Sequence, residues 1–475
     1  MIPLIWVFTY KFDTDRYLSK FKARLCVRGD LQQPIHQDTY AATLAARAFR
    51  ALMAIVAAFD LEAWQFDAIN AFTNSQIDET IYCDYPEGFE QPGCCLLLLQ
   101  ALYGLRRSPL LWLKEFSRTL TDLGLTQVGE EACIFTNKWL TVFFYVDDIV
   151  AICQTKDLPK LHQFKEALMD RYELRDMGPL SWFLGIRMLR DRQQRKLWLC
   201  QDSYIEKIAR TFHLEHVKPP STLMATQQEL VPYDGKASPQ EIYTYQQKVG
   251  SLLYATIITR PDVAHTASRL SEYLQNPSPQ HQGAANHAIS YLYGTKNYAV
   301  EYTASNIQLV FTCASDASFA DDKITRRSTQ GHLFKLFGGP IDWQSTKQKT
   351  VTTSSTEAEL LALSYTAKET FWWKRLFRDL QLDLGHDPSI SCDNIQTIRL
   401  LTKETPQITT KLRHVNIHGH WLRQEVQEGR IDINWIQSRD MPADGLTKAL
   451  PRQKHEKFVK QLGLVDISNK LETPL

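Results

Sequence analysis

Blocks of apolar residues separated by short polar stretches run along the whole chain, and one acidic pair stands between two such blocks. Residues 140–144 and 149–153 are rich in β-branched and aromatic side chains, so each block predicts a buried strand. Asp147 and Asp148 lie between them, and this order predicts a hairpin with both carboxylates at its tip. Because side chains alternate along a strand, the pair can share a target only where a turn breaks the alternation. A solvated Asp-Asp turn is the alternative interpretation.

Further carboxylates follow apolar runs elsewhere in the chain. Strand-like runs over 63–67, 309–316 and 390–393 each end in an aspartate. Another acid lies in a predicted helix that begins near residue 354, and one more lies in the loop 442–448. These acids are Asp67, Asp316, Asp393, Glu359 and Asp444. A strand end can hold a metal ligand rigidly at a cleft, whereas a cap or a surface position explains each acid taken alone.

Helical periodicity fills much of the remaining sequence. An Ala-rich helix is predicted over 41–60, another from 102 to about 123, and two more over 243–257 and 281–293. Ser354 followed by Glu357 has the spacing of a capping box, which predicts a helix start there. After residue 464 the sequence shows no clear pattern and predicts a polar tail.

Composition narrows the class of protein. The chain has 475 residues, of which 44% are hydrophobic and 23% charged, as expected for a globular protein of several domains. Nine cysteines with no C-x-x-C pair predict reduced thiols in an intracellular protein, without a disulfide frame or a zinc site. The net charge of +1 argues against strong nonspecific nucleic-acid binding and leaves room for a local basic groove. We find neither a signal peptide nor an apolar run that would span a bilayer, so no membrane partner is expected.

An ordered series of short motifs carries a resemblance to a known family. The motifs are Lys22-Ala-Arg-Leu, Phe66-Asp67-x-x-x-Ala-Phe72, Pro86-x-Gly-Phe89, Leu102-Tyr-Gly-Leu, Tyr145-Val-Asp-Asp148, Trp182-Phe-Leu-Gly-Ile186, Thr259-Arg-Pro-Asp262 and Tyr291-Leu-Tyr-Gly-Thr295. In this order the series resembles the reverse transcriptase of Ty1/copia retrotransposons, from about residue 4 to residue 464. The order of the four later acids resembles the ribonuclease H of the same elements.

The resemblance implies an α+β fold with four regions. A reverse-transcriptase region with truncated fingers and a palm is expected over 1–215, and a helical connection or thumb-like region over 216–305. A ribonuclease H-like α/β domain is expected over 306–450, and a tail over 451–475. The start inside the fingers is expected to shorten that subdomain relative to the family.

The resemblance also assigns roles to individual residues. In the first site Asp67 and Asp147 are the expected metal ligands, with Asp148 in support. Arg24 is expected to contact the incoming triphosphate, Lys22 is a weaker candidate for the same role, and Tyr145 is expected to pack near the primer end. In the second site the expected catalytic metal ligands are Asp316, Glu359, Asp393 and Asp444.

The implied chemistry is phosphoryl transfer with two Mg²⁺ ions in each site, Mn²⁺ being the alternative ion. The implied partners are an RNA template, a DNA primer, deoxynucleoside triphosphates (dNTPs) and an RNA–DNA hybrid whose RNA strand is cleaved. The family implies a transposable element whose DNA product is integrated. It also implies a cytoplasmic virus-like particle, with the nucleus as the alternative location. The sequence defines no oligomeric state.

Two alternatives to an active enzyme stay open. The chain could be a catalytically inactive retrotransposon relic or a co-opted nucleic-acid-binding protein, and the shortened fingers favour this. Ser318 stands where the family usually has a second acid. A nuclease of the ribonuclease H type without a polymerase is the other, and it predicts no acidic hairpin opposite Asp67. The presence of all seven expected carboxylates favours the enzyme.

Overall fold

The computed structural model describes residues 1–12, 17–33, 38–224, 229–304, 309–402 and 413–471, with the backbone alone for residues 11, 12 and 413–415. Numbered in chain order, the strands are β1 (Leu4–Phe12), β2 (Leu18–Val27), β3 (Glu62–Ala68), β4 (Tyr82–Cys83), β5 (Leu96–Leu97), β6 (Thr126–Val128), β7 (Glu131–Thr136), β8 (Leu140–Tyr145), β9 (Asp148–Cys153), β10 (Leu174–Pro179), β11 (Trp182–Phe183), β12 (Ile186–Asp191), β13 (Lys196–Cys200), β14 (Tyr298–Thr303), β15 (Phe311–Ser318), β16 (Thr329–Leu336), β17 (Gly339–Lys347), β18 (Ser389–Cys392), β19 (Asp432–Trp435) and β20 (Leu464–Asp466). The helices are α1 (Ala46–Ala58), α2 (Ser108–Asp122), α3 (Leu158–Met169), α4 (Asp202–Thr211), α5 (Pro239–Ile258), α6 (Ala264–Ser271), α7 (Pro279–Gly294), α8 (Ser355–Asp379), α9 (Ile395–Thr402), α10 (Arg413–Gln427), α11 (Arg452–Leu462) and α12 (Ser468–Leu471).

The first of two compact units comprises Met1–Ala45 and Glu62–Leu180. Its main sheet has the strand order β10-β3-β9-β8-β7-β6, and every neighbouring pair is antiparallel. The central strands β8 and β9 are almost wholly buried, as their continuous apolar runs predict. Two ribbons, β1-β2 and β4-β5, are separate from this sheet.

The second unit comprises Ala46–Leu61 and Ser181–Leu475. One sheet has the order β11-β12-β13-β14-β20, and another has the order β17-β16-β15-β18-β19. In the latter, β15 to β17 form an antiparallel meander, while β18 and β19 run parallel to β15. Helix α8 packs on β15 and β16. These elements confirm the predicted α+β fold class.

A helical cluster in the second unit occupies the region predicted as the connection. Helices α5 and α7 cover the two predicted helices of this region and extend a little beyond them. Together with α4 and α6 they bury a shared apolar core that includes Tyr245, Val249, Leu252, Ala285 and Ile289. Among the helices that the structure describes, none is both long and apolar enough to cross a membrane.

The compact units do not follow the predicted regional boundaries. The first unit ends at Leu180 rather than at residue 215, and α1 belongs to the second unit, where it packs on β13, β14 and β17. Helix α1 also begins at Ala46 rather than at residue 41. The predicted helix over 102–123 begins only at Ser108.

The predicted tail is wrong for most of its length. Residues 452–462 form α11, β20 pairs with β14, and Ile467 is fully buried. The helix buries one narrow stripe at helical spacing, formed by His455, Phe458, Val459 and Leu462. Three of its four stripe residues are apolar in an otherwise polar segment, and the sequence prediction overlooked that spacing.

The start of α8 differs in detail from the predicted capping box. Ser354 Oγ accepts from the backbone N–H of Glu357 at 3.2 Å, as predicted. The carboxylate of Glu357 accepts instead from the backbone N–H and hydroxyl of Thr353, both at 2.7 Å. Ser354 therefore caps the first turn of α8, and Glu357 holds the residue before the cap. Two residues further on, the same helix carries Glu359.

A fully buried ion pair stabilises the second unit. Arg260 donates to both carboxylate oxygens of Asp262, at 2.9 and 2.7 Å, and neither side chain is exposed. Arg260 also donates to the carbonyl of Thr295 at 3.0 Å, and the Tyr291 hydroxyl donates to Asp262 at 3.0 Å. The Thr259-Arg-Pro-Asp262 motif therefore joins the end of α5 to α7.

We expect Arg260→Met to destabilise the chain by about 3–5 kcal/mol, because it leaves the buried carboxylate of Asp262 without its counter-ion. Urea unfolding followed by circular dichroism measures the change. Lys323→Met is the matched control, because it breaks the exposed Lys323–Glu229 pair and should cost less than about 1 kcal/mol. Equal effects of the two substitutions would contradict the account of the buried pair.

Candidate active sites

The first unit brings three carboxylates to one end of its main sheet. Asp67 on β3 lies directly opposite Asp148, the first residue of β9. Asp147 lies in the turn before β9, and its carbonyl accepts from the N–H of Ala68 at 2.8 Å. The predicted hairpin is therefore present, and it lies opposite Asp67, which contradicts a nuclease without a polymerase-like hairpin.

The turn of this hairpin holds a strained residue. Val146 has a φ of +56°, in the left-handed region that β-branched residues rarely adopt. The buried indole of Trp112 donates to the carbonyl of Val146 at 2.7 Å and holds the turn in place. Val146 and Asp147 form a two-residue turn between the paired residues Tyr145 and Asp148. This turn interrupts the alternation of side chains along the strand, which is the condition for Asp147 and Asp148 to contact the same ligand.

Two cations lie near the acids of the first site. Burial raises the pKa of Asp147, the charge of Asp67 raises it further, and the charges of Lys22 and Arg24 lower it. Lys22 and Arg24 are two residues apart on β2, so their side chains share one face of that strand. The structure therefore places the two cations predicted to contact a triphosphate within electrostatic reach of the carboxylates.

Other partners hold the remaining acids of the first site. Burial raises the pKa of Asp148, and a hydrogen bond of 3.0 Å from the Gln65 amide to its Oδ1 lowers it. Asp67 is 3.6 Å from Arg175 in an ion pair across β3 and β10. Tyr145 pairs with Asp148 across the hairpin and is partly buried.

The sequence prediction missed Tyr103 as a member of this site. Burial raises the pKa of the Tyr103 hydroxyl, and the charges of Asp147 and Asp67 raise it further, while Arg24 lowers it. The ring of Tyr103 lies 4.8 Å from that of Phe72, measured between centroids. The motif Leu102-Tyr-Gly-Leu served only to identify the family. The tyrosine within this motif is the sequence feature that could have indicated a site residue.

Gly104 fixes the approach of β2 to this tyrosine. Its φ is +92°, and a Cβ there would lie 2.0 Å from the carbonyl oxygen of Val27. The N–H of Val27 donates to the carbonyl of Tyr103 at 2.8 Å. A side chain at position 104 would therefore push apart the segments that carry Arg24 and Tyr103.

We expect Gly104→Ala to lower stability by at least about 2 kcal/mol more than Gly124→Ala does. Gly124 is the matched control because its φ is also positive, at +85°, but a Cβ there meets nothing within 4 Å. Thermal unfolding of the two variants isolates the effect of the steric clash. Equal melting temperatures would show that β2 and the Tyr103 segment are not in close contact.

The second unit brings four acids together around the edge of the β15–β19 sheet. Asp316 lies on β15, and Asp393 immediately follows β18. These strands are parallel and pair Ala314 with Ser391, so both aspartates lie two residues further along at the same edge. Glu359 lies on α8, and Asp444 begins a short 3₁₀ turn that contacts β15.

Thr447 and Lys448 belong to this second site, and the sequence prediction missed both. The Thr447 hydroxyl donates to Asp316 Oδ2, and the Lys448 ammonium forms an ion pair with Asp444. Burial raises the pKa of Asp316 to about 6, the Thr447 hydrogen bond and the Lys448 charge lower it, and Asp444 and Asp393 raise it. The charges of Asp444, Asp393 and Lys448 therefore all act on the carboxylate of Asp316.

Glu359 is the most strongly perturbed acid of the second site. It is 5% exposed, and burial raises its pKa to about 9, with further contributions from the charges of Asp316 and Asp393. Its Oε1 accepts from the N–H of Ala317 at 3.4 Å, whereas its Oε2 is buried without a hydrogen-bond partner. A buried carboxylate oxygen without a donor, among like charges, fits the binding of a cation that prefers oxygen ligands, such as Mg²⁺.

Comparison with known proteins places the chain in a class. The family model described as "Reverse transcriptase (RNA-dependent DNA polymerase)" matches residues 1–226. The chain is 32% identical to the retrovirus-related Pol polyprotein from transposon TNT 1-94 of Nicotiana tabacum, over 97% of this chain and 35% of that protein. It is 31% identical to a transposon Ty5-1 protein of Saccharomyces cerevisiae, over 64% of this chain and 99% of that protein.

The chain therefore belongs to the transposon Pol proteins, with a reverse transcriptase region at residues 1–226, and within that class to those of Ty1/copia-type retrotransposons, as the motif series predicted. It spans about a third of the length of the first plant Pol polyproteins that it matches, 35% and 32% of the two. A solved prototype foamy virus protease-reverse transcriptase matches 92% of the chain at 13% identity, with a TM-score of 0.22, which is too low to establish a shared fold.

Proposed function

We propose that this chain is an RNA-directed DNA polymerase with an associated ribonuclease H that cleaves the RNA strand of RNA–DNA hybrids. The observation that carries the proposal is the separation of two carboxylate clusters into two compact units. Asp67, Asp147 and Asp148 lie in the first unit, and Asp316, Glu359, Asp393 and Asp444 lie in the second. One phosphoryl-transfer reaction is assigned to each cluster.

In the first site the chain would position the primer and the incoming nucleotide. Asp67 and Asp147 would hold two divalent cations, with Asp148 supporting Asp147 from the start of β9. Arg24, with Lys22 beside it on the same face of β2, would bind the triphosphate of a dNTP. Tyr145 would pack near the primer terminus. Bound Mg²⁺ or Mn²⁺ would neutralise charge on the attacking and leaving oxygens.

In the second site the chain would cleave the RNA of the hybrid. Asp316, Glu359, Asp393 and Asp444 would hold the cations, with Thr447 fixing the orientation of the Asp316 carboxylate. Lys448 would partly neutralise the cluster through Asp444. Recognition would depend on duplex shape and 2′-hydroxyls rather than on base sequence.

The substrates that follow are an RNA template, a DNA primer, dNTPs and the hybrid formed during synthesis. Membership in the retrotransposon family supports these partners, since the match extends over 97% of the chain. The family also supports a place within a cytoplasmic virus-like particle, on the route to integration of the DNA product, with the nucleus as the alternative location.

Primer extension tests the polymerase proposal. The full chain is given a DNA primer annealed to RNA, with dNTPs and Mg²⁺, and parallel reactions contain EDTA or Mn²⁺. We expect extension that depends on the divalent cation. Absence of extension in both Mg²⁺ and Mn²⁺, with the primed template still bound, would overturn the proposal and favour a co-opted nucleic-acid-binding protein. Absence of both extension and binding would favour an inactive relic.

A further inference from the structure

A thiol lies within the acid cluster of the second unit. Cys392 is the last residue of β18 and is fully buried. Its Sγ, one carboxylate oxygen of Glu359 and one of Asp393 all lie within 4.8 Å of one another. Among the described histidines, cysteines and acids, this is the one group of three or more with ligand atoms so close together.

The carboxylate of Glu359 points independently to a ligand. The residue is 5% exposed, and its Oε2 has no hydrogen-bond partner. Cys392 Sγ has one weak contact, at 4.0 Å to the carbonyl of Asn394. A cation between these groups would satisfy an orphaned carboxylate oxygen that the protein itself leaves without a donor.

We propose that Glu359, Cys392 and Asp393 form a binding site for a thiophilic divalent cation such as Zn²⁺ or Cd²⁺, and that its occupation inhibits hybrid cleavage. The inhibition rests on the proposed ribonuclease H function, whereas the binding site does not. On binding, the S–H bond of Cys392 and the O–H bond of the Glu359 carboxyl break, both protons pass to solvent, and metal–sulfur and metal–oxygen bonds form without any change of oxidation state.

Ligand chemistry separates this site from a magnesium site made of the same carboxylates. Mg²⁺ takes oxygen ligands in octahedral geometry and gains nothing from a thiolate. Zn²⁺ accepts sulfur and oxygen together in tetrahedral geometry, with metal–ligand distances near 2.0–2.3 Å, so its ligands lie roughly 3.5 Å apart. The three ligand atoms, within 4.8 Å of one another, need to close by about 1 Å, which side-chain rotation can supply.

The fold rather than local spacing assembles this site. Glu359 lies on α8, and Cys392 lies on β18, which pairs with the strand that α8 covers. The sequence predicts no zinc site because it contains no C-x-x-C pair. That criterion detects only ligands that are close together in the sequence. Asp393, the first residue after β18, supplies the third ligand.

Cadmium absorption tests the binding directly and does not depend on activity. The adjacent exposed thiols of the first unit, Cys94 and Cys95, are first replaced by serine to remove a competing pair. Titration with Cd²⁺ should then give a sulfur-to-cadmium charge-transfer band that saturates near one equivalent. The band should disappear in Cys392→Ala and in Cys392→Ser, two variants of different polarity.

The matched control is Cys313→Ala, because Cys313 is equally buried on the neighbouring strand β15 and contacts Thr370 rather than the acids. This variant should keep the band. Melting temperatures of all variants verify that they are folded. Persistence of the band in folded Cys392→Ala or Cys392→Ser would overturn the proposal, as would its absence from the chain that retains Cys392.

Inhibition is measured in Mg²⁺ with increasing Zn²⁺, each protein being compared with its own rate without Zn²⁺. We expect the concentration of Zn²⁺ that halves hybrid cleavage to rise at least tenfold in Cys392→Ala, while the value for primer extension stays unchanged. Equal sensitivity of cleavage in the two proteins would overturn the inhibitory role. If the chain cleaves no hybrid at all, the ribonuclease proposal fails, and the cadmium band still decides whether the metal site exists.

Discussion

Asp147→Asn is expected to reduce primer extension more than about 100-fold, beyond the 10–100-fold loss typical of groups that only support a metal ligand. Asp147 lies at the tip of the β8–β9 hairpin, and the charge of Asp67 raises the pKa of its carboxyl group. The asparagine keeps the shape of the side chain and removes its charge. Hybrid cleavage should persist, because its four acids lie in the other compact unit.

Asp170→Asn is the matched control for this prediction. Asp170 is an exposed aspartate of the same unit, at the end of α3, so its loss of charge should leave primer extension unchanged. Steady-state extension of a labelled primer on RNA measures both variants. Comparable activity of Asp147→Asn and the parent chain would remove Asp147 from the proposed site.

Glu359→Gln is expected to have two opposite effects, on hybrid cleavage and on stability. It removes a buried carboxylate whose Oε2 has no donor, so cleavage of a labelled hybrid should fall more than about 100-fold. It should also raise the free energy of unfolding of the metal-free chain by about 1–3 kcal/mol at pH 7–8. Loss of activity with a gain in stability is the expected signature of a functional acid in an unfavourable environment.

The pH dependence follows from the raised pKa of this residue. Burial and the charges of Asp316 and Asp393 raise the pKa of Glu359 in the folded chain to about 9, whereas an unfolded glutamate has a pKa of about 4.3. Between these values the folded state holds a proton that the unfolded state has released. Stability of the metal-free chain therefore decreases as the pH rises through this window, and the glutamine variant lacks this contribution.

Urea unfolding in EDTA at pH 5 and pH 8 measures this difference. The gain in stability of Glu359→Gln over the parent chain should be larger at pH 8 than at pH 5. A gain that is the same at both pH values would show that the folded environment does not raise the pKa of Glu359. A loss of stability at pH 8 would contradict the unfavourable burial of its charge.

Much of the first site could be predicted from the sequence because its signals are local. Two continuous apolar runs predict β8 and β9, and a two-residue turn between them fixes the place of Asp147. The strand that ends near Asp67 was also predicted, but its pairing opposite Asp148 is a long-range contact. The family resemblance implied that Asp67 lies near the hairpin, whereas the register of the two strands is known from the structure alone.

The missed residues share a physical cause. Tyr103 joins the first site through Gly104, whose positive φ brings the backbone of this segment against the end of β2. Thr447 and Cys392 join the second site through contacts between elements far apart in the chain. Sequence pattern reports the element on which a residue lies, whereas these contacts depend on how elements pack.

The error over residues 451–475 has a different cause. Helix α11 is polar on most of its surface and buries only one stripe against the second unit. A narrow stripe of this kind is easily overlooked in a charged segment at the end of a chain. Pairing of β20 with β14 involves only three residues, too few for a strand pattern to be recognised in the sequence.

The central claim is that two independent carboxylate sites perform two reactions in one chain, and a single doubly labelled reaction tests it most directly. A labelled DNA primer on an RNA template with a second label reports extension and RNA cleavage together, in Mg²⁺. The account predicts both products for the parent chain, cleavage alone for Asp147→Asn, and extension alone for Glu359→Gln. Loss of both products in either folded variant, or neither product from the parent chain, would contradict it.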